Sequence, residues 1–305
     1  MEKIKKVAIL GAGAMGGFFA SRFFESGFST MLTARGERLE RLKNQGLIVN
    51  NKSYFIPAVH PDAVTSPADL IIVALKNHHL RKAVNDLENL VGDSTTIMSV
   101  MNGLESEEYI GSVFGMDKML YAVSVGIDAL RVQNQITYTK QGKHYFGEAD
   151  NTSLSPKTAR VQEAFQRAEI PYETPGDMMR IMWWKFMINV GMNQASAVMR
   201  APYGVFQASP DARALMQALM EEVIVLARAR KIELTEKDLD DWYGVLKTLS
   251  PDGKTSMLQD IEDGRKTEVE IFGGKVVEMG RDHSVQTPVN QTMLQIIRVL
   301  EQNPR

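Results

Sequence analysis

The chain has 305 residues, a formal net charge of −2 and a hydrophobic fraction of 44%, so it is too long for one ordinary domain and apolar enough for two buried cores. The near-neutral charge gives no basic surplus to suggest a nucleic-acid partner, and the absence of cysteine excludes disulfides and thiolate chemistry. No run approaches ~18–20 uninterrupted apolar residues and the first residues lack a signal peptide's apolar core, which predicts a soluble cytoplasmic protein with no membrane span.

In chain order, Ile4-Lys-Lys-Val-Ala-Ile-Leu10 ends as the compact apolar run of a buried parallel strand. Glycines follow at once, then a helical pattern from Ala14 to about Ser26, ended by Gly27. Residues 29–34 read as the next strand, completing a strand–helix–strand unit. Residues 70–75 form a later strand before a helix over about 78–90, and Thr95-Thr-Ile-Met-Ser-Val-Met101 is another strand. Segments near 119–125, 134–140 and 144–147 alternate apolar with polar residues and are expected to pair as an antiparallel edge or extension of the sheet. Ser155-Pro156 opens a further helix, with serine as cap and proline in the first turn.

After Pro175-Gly176 the pattern turns helical almost throughout. Asp177 caps a predicted helix running to about Met199, and Pro202 and Gly204 break it. Further helices are expected near 210–230, 235–249, 256–263 and 267–281, with the last from Pro288 to about Gln302. The fold class is therefore α/β, with a Rossmann-type, mostly parallel sheet domain over 1–175 and an all-α C-terminal domain over 176–305.

Gly11-Ala12-Gly13-Ala14-Met15-Gly16 has the form G-x-G-x-x-G, weak alone but stronger here because it follows a strand and opens a helix. Gly11 permits the tight turn, Gly13 lets a pyrophosphate approach the backbone, and Gly16 lets helix and strand pack closely. The helix start offers free N–H groups and a positive dipole end to the phosphates. The end of the next strand separates NAD from NADP. An acidic residue there would bond the ribose 2′-hydroxyl, whereas this chain has Arg35, with Arg38 close behind. A guanidinium suits a 2′-phosphate, so NADPH is the expected cofactor and Arg35 its main determinant, unless Arg35 is a solvated surface charge.

The second constellation is Lys185, Asn189 and Asn193, recurring every four residues amid apolar neighbours that include Trp183, Trp184 and Phe186. On an α-helix the three span an arc of about 80°. Such a stripe suits a small ligand bearing carbonyl, hydroxyl and carboxylate groups; equally, it suits a polar helix–helix seam with Lys185 snorkelling to solvent. Chemistry favours the ligand. A ketone receiving hydride develops charge on oxygen, and a lysine desolvated towards roughly 7–8 can both stabilise and protonate it. No cluster of histidines and carboxylates suggests a metal.

These features, taken in order, resemble the ketopantoate reductase (2-dehydropantoate 2-reductase) family over nearly the full length. Besides the glycine loop and Lys185-Asn189-Asn193, the shared blocks are Val73-Ala-Leu-Lys76, Asn102-Gly103, Ser256-Met-Leu-Gln-Asp-Ile261, Glu268 within Arg265-Lys-Thr-Glu-Val-Glu270, Gly273-Gly274 and Thr287-Pro288-Val-Asn290. The resemblance implies reduction of 2-dehydropantoate to (R)-pantoate with NADPH, on the route to pantothenate and coenzyme A. It implies that Lys185 donates the proton and that Asn189 and Asn193 hold substrate hydroxyls or carboxylate. Ser256 and Gln259 would grip the carboxylate end. Lys76, Asn102 and Ala129 would contact the cofactor, and Glu268 would join Lys185 as a catalytic residue, bordering the cofactor and ordering the site. The expected site is a cleft between the domains, and a homodimer is a compatible assembly. Departures from the family pattern fall at Tyr203, where asparagine is frequent, at Met101 and at Asp128. They leave open a paralogue acting on another small 2-oxo acid, or an NADPH-binding protein without turnover.

Overall fold

The computed structural model describes residues 2–133 and 135–303. The chain divides into two compact units, Met1–Ile181 and Met182–Arg305.

The first unit begins β1 (Lys6–Leu10), α1 (Ala14–Glu25), β2 (Ser29–Thr33), α2 (Gly36–Gln45), β3 (Leu47–Val49), β4 (Lys52–Tyr54) and β5 (Ala58–Val59). It continues with β6 (Leu70–Val73), α3 (Asn77–Ala83), β7 (Thr96–Ser99), α4 (Ser106–Phe114) and β8 (Met119–Ile127). The remaining elements are β9 (Leu130–Val132), β10 (Gln135–Thr137), β11 (Gln141–Gly147), α5 (Pro156–Arg167) and β12 (Tyr172–Glu173).

Eight strands form the main sheet in the order β12-β11-β8-β7-β6-β1-β2-β5. All its pairings are parallel except β11 with β8. The central strands β1, β6 and β7 are buried almost throughout because both faces are covered, which is why they read as near-continuous apolar runs. Alternation along β1 feeds two cores. Val7 and Ile9 join Phe18, Phe19, Phe23 and Phe165 on one face, while Ala8 and Leu10 join Ile71, Val73, Leu87 and Ile110 on the other.

The sheet differs from expectation at one segment. Residues 135–137 do not extend the main sheet but join a second, four-stranded sheet, β4-β3-β10-β9; residue 134 of the expected segment lies outside the described residues. The small sheet rests on α1. A β-carbon at Gly17 would strike the end of the Ile136 side chain of β10, so a larger residue there would force Ile136 to shift. The helix expected over 78–90 is α3 followed by a 3₁₀ turn, Val84–Leu90. Ser155 caps α5 by accepting a hydrogen bond from the Thr158 amide at 3.2 Å.

The division between units falls within α6 (Met178–Ile188), which Asp177 caps at the Arg180 amide, 2.9 Å. The second unit then contains α7 (Gln194–Met199), α8 (Tyr203–Ala208), α9 (Pro210–Ala229), α10 (Glu236–Leu246), α11 (Ser256–Glu262), α12 (Gly273–Asp282) and α13 (Pro288–Gln302). Two expected helices are interrupted. The helix over 177–199 contains a π turn at Asn189–Asn193. The helix over 267–281 becomes a 3₁₀ turn, Val269–Ile271, and then α12. This second break has two causes. Thr267 is fastened separately by Glu301, whose carboxylate accepts its amide at 2.7 Å and its hydroxyl at 2.6 Å. Gly273 also lies so close to the Gln194 amide oxygen that a β-carbon would overlap it. Among the described residues no helix is long and apolar enough to cross a membrane.

Candidate active site

Four loops of the first unit leave neighbouring parallel strands β2, β1, β6 and β7 at their C-terminal ends. They carry Arg35, Gly11–Gly16, Lys76 and Asn102 respectively, and they line the sheet edge where open α/β sheets bind ligands. Gly11 has φ +104°, closed to most side chains, and a β-carbon there would overlap the Ala74 carbonyl after β6. A β-carbon at Gly16 would overlap the Gly11 carbonyl. At Gly13, by contrast, a β-carbon would meet nothing within 4 Å. The first and third glycines are thus filled by the protein itself, and the middle one faces open space at the start of α1. That is the cradle a pyrophosphate requires.

Lys76 is the residue just before α3, and Asn102 stands in the turn after β7. The Asn102 turn is anchored from below: the Met101 amide donates to Ser99 at 3.4 Å, Ser99 pairs with Ser106 at 2.8 Å, and Ser106 donates to Glu107 at 2.8 Å. Glu107 is fully buried and desolvation pushes its carboxyl up to about 7. Ala129 is half-buried beyond β8 on the same edge, one strand further along. Asp128 beside it is occupied locally, accepting from the Lys140 amide at 2.8 Å and from the Thr139 amide and hydroxyl.

Arg35 stands where the sequence places it, between β2 and α2, but its guanidinium is taken. Asp62 accepts from it at 2.7 and 3.2 Å and Asp86 at 2.7 Å, and these bonds raise its pKa. His78 and His79 are exposed at the start of α3.

In the second unit, Lys185 lies on α6, and Asn189 and Asn193 open and close the π turn. The π turn changes the geometry the spacing predicts. Four α-helical residues overshoot one turn by about 40°. Four residues of a wider, i→i+5 turn fall short instead. The drift from Lys185 to Asn189 is therefore reversed on the way to Asn193, and the three side chains share a narrower stripe than a continuous α-helix would give. The Asn193 amide nitrogen reaches the Asn189 oxygen at 3.5 Å, the outer limit of a hydrogen bond. Gly191 makes room for the turn, because a β-carbon there would collide with Met220 and the Met216 carbonyl of α9.

Both asparagines are buried. Lys185 keeps some solvent contact, yet enough protein surrounds it that desolvation pulls its ammonium down to about 8. Its ammonium has no hydrogen bond or ion pair among the described residues. Beneath the stripe, Gln194 donates to the Val190 carbonyl at 2.8 Å and to Asn290 at 2.9 Å, and Glu222 holds Asn290 at 2.7 Å. That bracing accounts for the Thr287-Pro288-Val-Asn290 block.

Ser256 is exposed as the first residue of α11, while Thr255 is the cap, accepting from the Leu258 amide at 3.1 Å. Thr255 also donates to Ser196 at 3.2 Å, and Ser196 donates to the Ala201 carbonyl at 2.7 Å, which ties the start of α11 to α7. Gln259 donates to the Lys254 carbonyl at 3.2 Å. Glu268 is buried at the head of the 3₁₀ turn, 7% exposed, rather than spread on a solvated face. Tyr203 is half-buried and packs against Gly253 in the turn leading to Ser256, with its hydroxyl pKa raised by burial.

The model of ketopantoate reductase PanE/ApbA matches residues 7–151, and that of the same family's C-terminal region matches residues 177–301. The chain belongs to the ketopantoate reductase family. A 2-dehydropantoate 2-reductase of Archaeoglobus fulgidus is 27% identical over 300 residues, spanning 98% of this chain and 99% of that one. Among solved structures, D-mandelate dehydrogenase with NADH and anilino(oxo)acetate matches with a TM-score of 0.88 at 22% identity, covering 97% of this chain and 98% of that one. A PanE/ApbA family ketopantoate reductase from Ralstonia eutropha matches at 0.85 and 24%, covering 98% and 99%. At these identities the structural likeness is one of fold.

As a member of an oxidoreductase family, this ketopantoate reductase relative carries residues that the motifs did not single out. Glu107 and the Ser99–Ser106 pair hold the Asn102 turn, and Gln194 with Glu222 holds the Lys185 helix. At Ser99 and Gln194 a polar residue among apolar neighbours was the sole signal, and Ser106, Glu107 and Glu222, which sit beside other polar residues, gave none. Among the described residues no group of three or more histidines and carboxylates is placed to hold a metal ion.

Proposed function

We propose that this chain reduces 2-dehydropantoate to (R)-pantoate with NADPH, on the route to pantothenate and coenzyme A. One observation carries the reading above the rest. Lys185 is an amine pulled down to about 8 by desolvation, with no protein partner among the described residues, on one stripe with two buried carboxamides. An ammonium left in that state is matched to a group that gains negative charge during reaction.

The Gly11–Gly16 loop, open only at Gly13, fits a dinucleotide, with Lys76, Asn102 and Ala129 beside it on the same edge. When bound, the reduced nicotinamide supplies a hydride to the substrate's carbonyl carbon. The carbonyl π pair then moves onto oxygen, and Lys185 gives that oxygen a proton. Solvent returns the proton to the amine, so the sum is one 2-oxo acid reduced to one 2-hydroxy acid and one nicotinamide oxidised. Asn189 and Asn193 orient the substrate's hydroxyl and carboxylate, Ser256 and Gln259 hold its carboxylate end, and Glu268 orders the site.

Tyr203 favours a second reading, a relative acting on another small 2-oxo acid. Its ring fills space beside Gly253 where a carboxamide would leave a polar contact. NADPH oxidation measured with 2-dehydropantoate and a panel of 2-oxo acids decides between the two. Turnover of 2-dehydropantoate near the best of the panel is expected, and turnover of other acids alone would replace the first reading with the second. Cofactor binding with no turnover of any acid would sink both.

A further inference from the structure

Arg38 and Arg41 lie one turn apart on α2, so they share a helix face, while Leu39 and Leu42 between and after them bury into the core. Arg131 comes from the middle of β9, far along the chain. In the antiparallel β9–β10 pair it stands directly opposite Ile136. Opposed residues send their side chains to the same face of a sheet. Ile136 points at Gly17 in the first turn of α1, so Arg131 also leaves the small sheet on its α1 side, beside the start of the helix that the glycine loop opens.

The three side chains lie near enough for their charges to act on one another. All are half-buried. Arg131 is pushed down to about 10, first by desolvation and then by the charges of Arg38 and Arg41. Arg38 is lowered by burial and by Arg41. The Arg38 Nε is buried with no acceptor, and the Arg131 Nε donates to the Gln133 carbonyl at 2.9 Å. Among the described residues none of the three makes an ion pair. Crowding three partly desolvated cations without a carboxylate is unfavourable unless an anion joins them.

The contrast with Arg35 is direct. Arg35 brings one positive charge and two bound carboxylates, Asp62 and Asp86, which would repel a phosphate dianion. The neighbouring trio brings three positive charges and no carboxylate. It begins in the first turn after β2, where the adenosine ribose of a dinucleotide on the glycine loop arrives. A guanidinium can donate two parallel charged hydrogen bonds to phosphate oxygens.

We propose that Arg38, Arg41 and Arg131 form the subsite for the 2′-phosphate of the dinucleotide, and that Arg35, clamped by Asp62 and Asp86, lies outside it. The inference rests on the reading that a dinucleotide occupies the glycine loop. It assigns the choice between NADPH and NADH largely to Arg131, on a strand outside the main sheet.

Direct binding separates the possibilities. Affinities for NADPH, NADH, 2′,5′-ADP and inorganic phosphate are measured by calorimetry on the full chain and on R131Q, R131K, R38Q and R35Q. The unmodified chain is expected to prefer NADPH. R131Q and R38Q should each weaken NADPH and 2′,5′-ADP by roughly tenfold or more while NADH affinity stays put, R131K should restore part of the loss, and R35Q should shift the NADPH/NADH ratio by less than about threefold. Unchanged NADH affinity also certifies that the variants fold. A preserved ratio in R131Q and R38Q overturns the subsite, as does equal binding of NADPH and NADH by the unmodified chain, and both leave the dinucleotide reading standing. Inorganic phosphate competing as well as 2′,5′-ADP would reassign the cluster to a free anion and overturn the proposal. Failure to bind either dinucleotide sinks the underlying reading itself.

Discussion

The glycine loop of the first unit and the Lys185 helix of the second are both prepared for a charged ligand, by opposite means. The loop uses backbone: Gly11 and Gly16 are filled by neighbouring main chain, Gly13 is open, and the start of α1 supplies N–H groups. The helix uses side chains, with a desolvated amine and two buried carboxamides held in line by a π turn. A backbone site costs little stability because its groups sit at a helix end that is unsatisfied anyway. A site of buried polar side chains works against the fold until its ligand arrives. Substitutions should therefore separate binding from stability differently in the two regions.

The largest effect belongs to Lys185. Lys185→Met should lower kcat by about 10²–10⁴-fold with cofactor affinity unchanged, measured by steady-state rates and direct binding. In the unmodified enzyme kcat should fall as pH rises through about 8, because the proton donor is lost. The same lysine weakens the fold. Its pKa falls from 10.5 when unfolded to about 8 when folded, so the penalty is complete below pH 8 and lifts as pH rises towards 10.5. The inactive variant should accordingly be the more stable one near pH 7, on the order of 2 kcal/mol by denaturant titration. A variant that loses stability and keeps its rate would mark Lys185 as structural.

The loop should behave in reverse. Gly13→Val meets open space, so stability should hold within about 0.5 kcal/mol while dinucleotide affinity drops on the order of 100-fold, equivalent to about 2.7 kcal/mol. Gly16→Ala should instead destabilise the fold by about 1–3 kcal/mol, since its β-carbon overlaps the Gly11 carbonyl. Equal behaviour of the two would erase the distinction between a filled and an open glycine.

Legibility in the sequence follows the same division. The β1–α1–β2 unit could be read because local sterics demand its residues in order: an apolar run, glycines at fixed spacing, then a helical pattern. The small sheet could not. Its strands are three residues or shorter in register, and β10 pairs with β3 across most of the unit, Gln135 beside Ile48, with no local pattern to announce it. Arg131 was missed for that reason, since its neighbours Arg38 and Arg41 reach it through the same distant pairing. The spacing of Lys185, Asn189 and Asn193 was legible, but the π turn that aligns them depends on Gly191 meeting α9, a contact no spacing encodes.

A smaller effect probes the support under the Asn102 turn. Glu107 has its folded pKa raised from 4.5 to about 7. Its contribution is present below pH 4.5 and is lost as pH rises through 7, where a buried carboxylate must ionise. Glu107→Gln should remove that dependence and become the more stable form above pH 7, by about 2 kcal/mol in urea unfolding at pH 8 against pH 5. Parallel pH profiles for the two proteins would mean that the carboxyl ionises freely.

The finest test concerns the two asparagines. If the π turn brings them onto one stripe facing the ligand, Asn189→Ala and Asn193→Ala should each raise KM or lower kcat roughly tenfold, about 1.4 kcal/mol. Their amides approach to 3.5 Å, so the double variant should depart from additivity by about 0.5 kcal/mol or more. Strict additivity would mean that they contact the substrate independently. No effect on either constant, with loss of stability instead, would make the stripe a seam between helices. The carboxamides would then resemble Gln194 and Asn290 beneath them, which bond to each other and brace the helix.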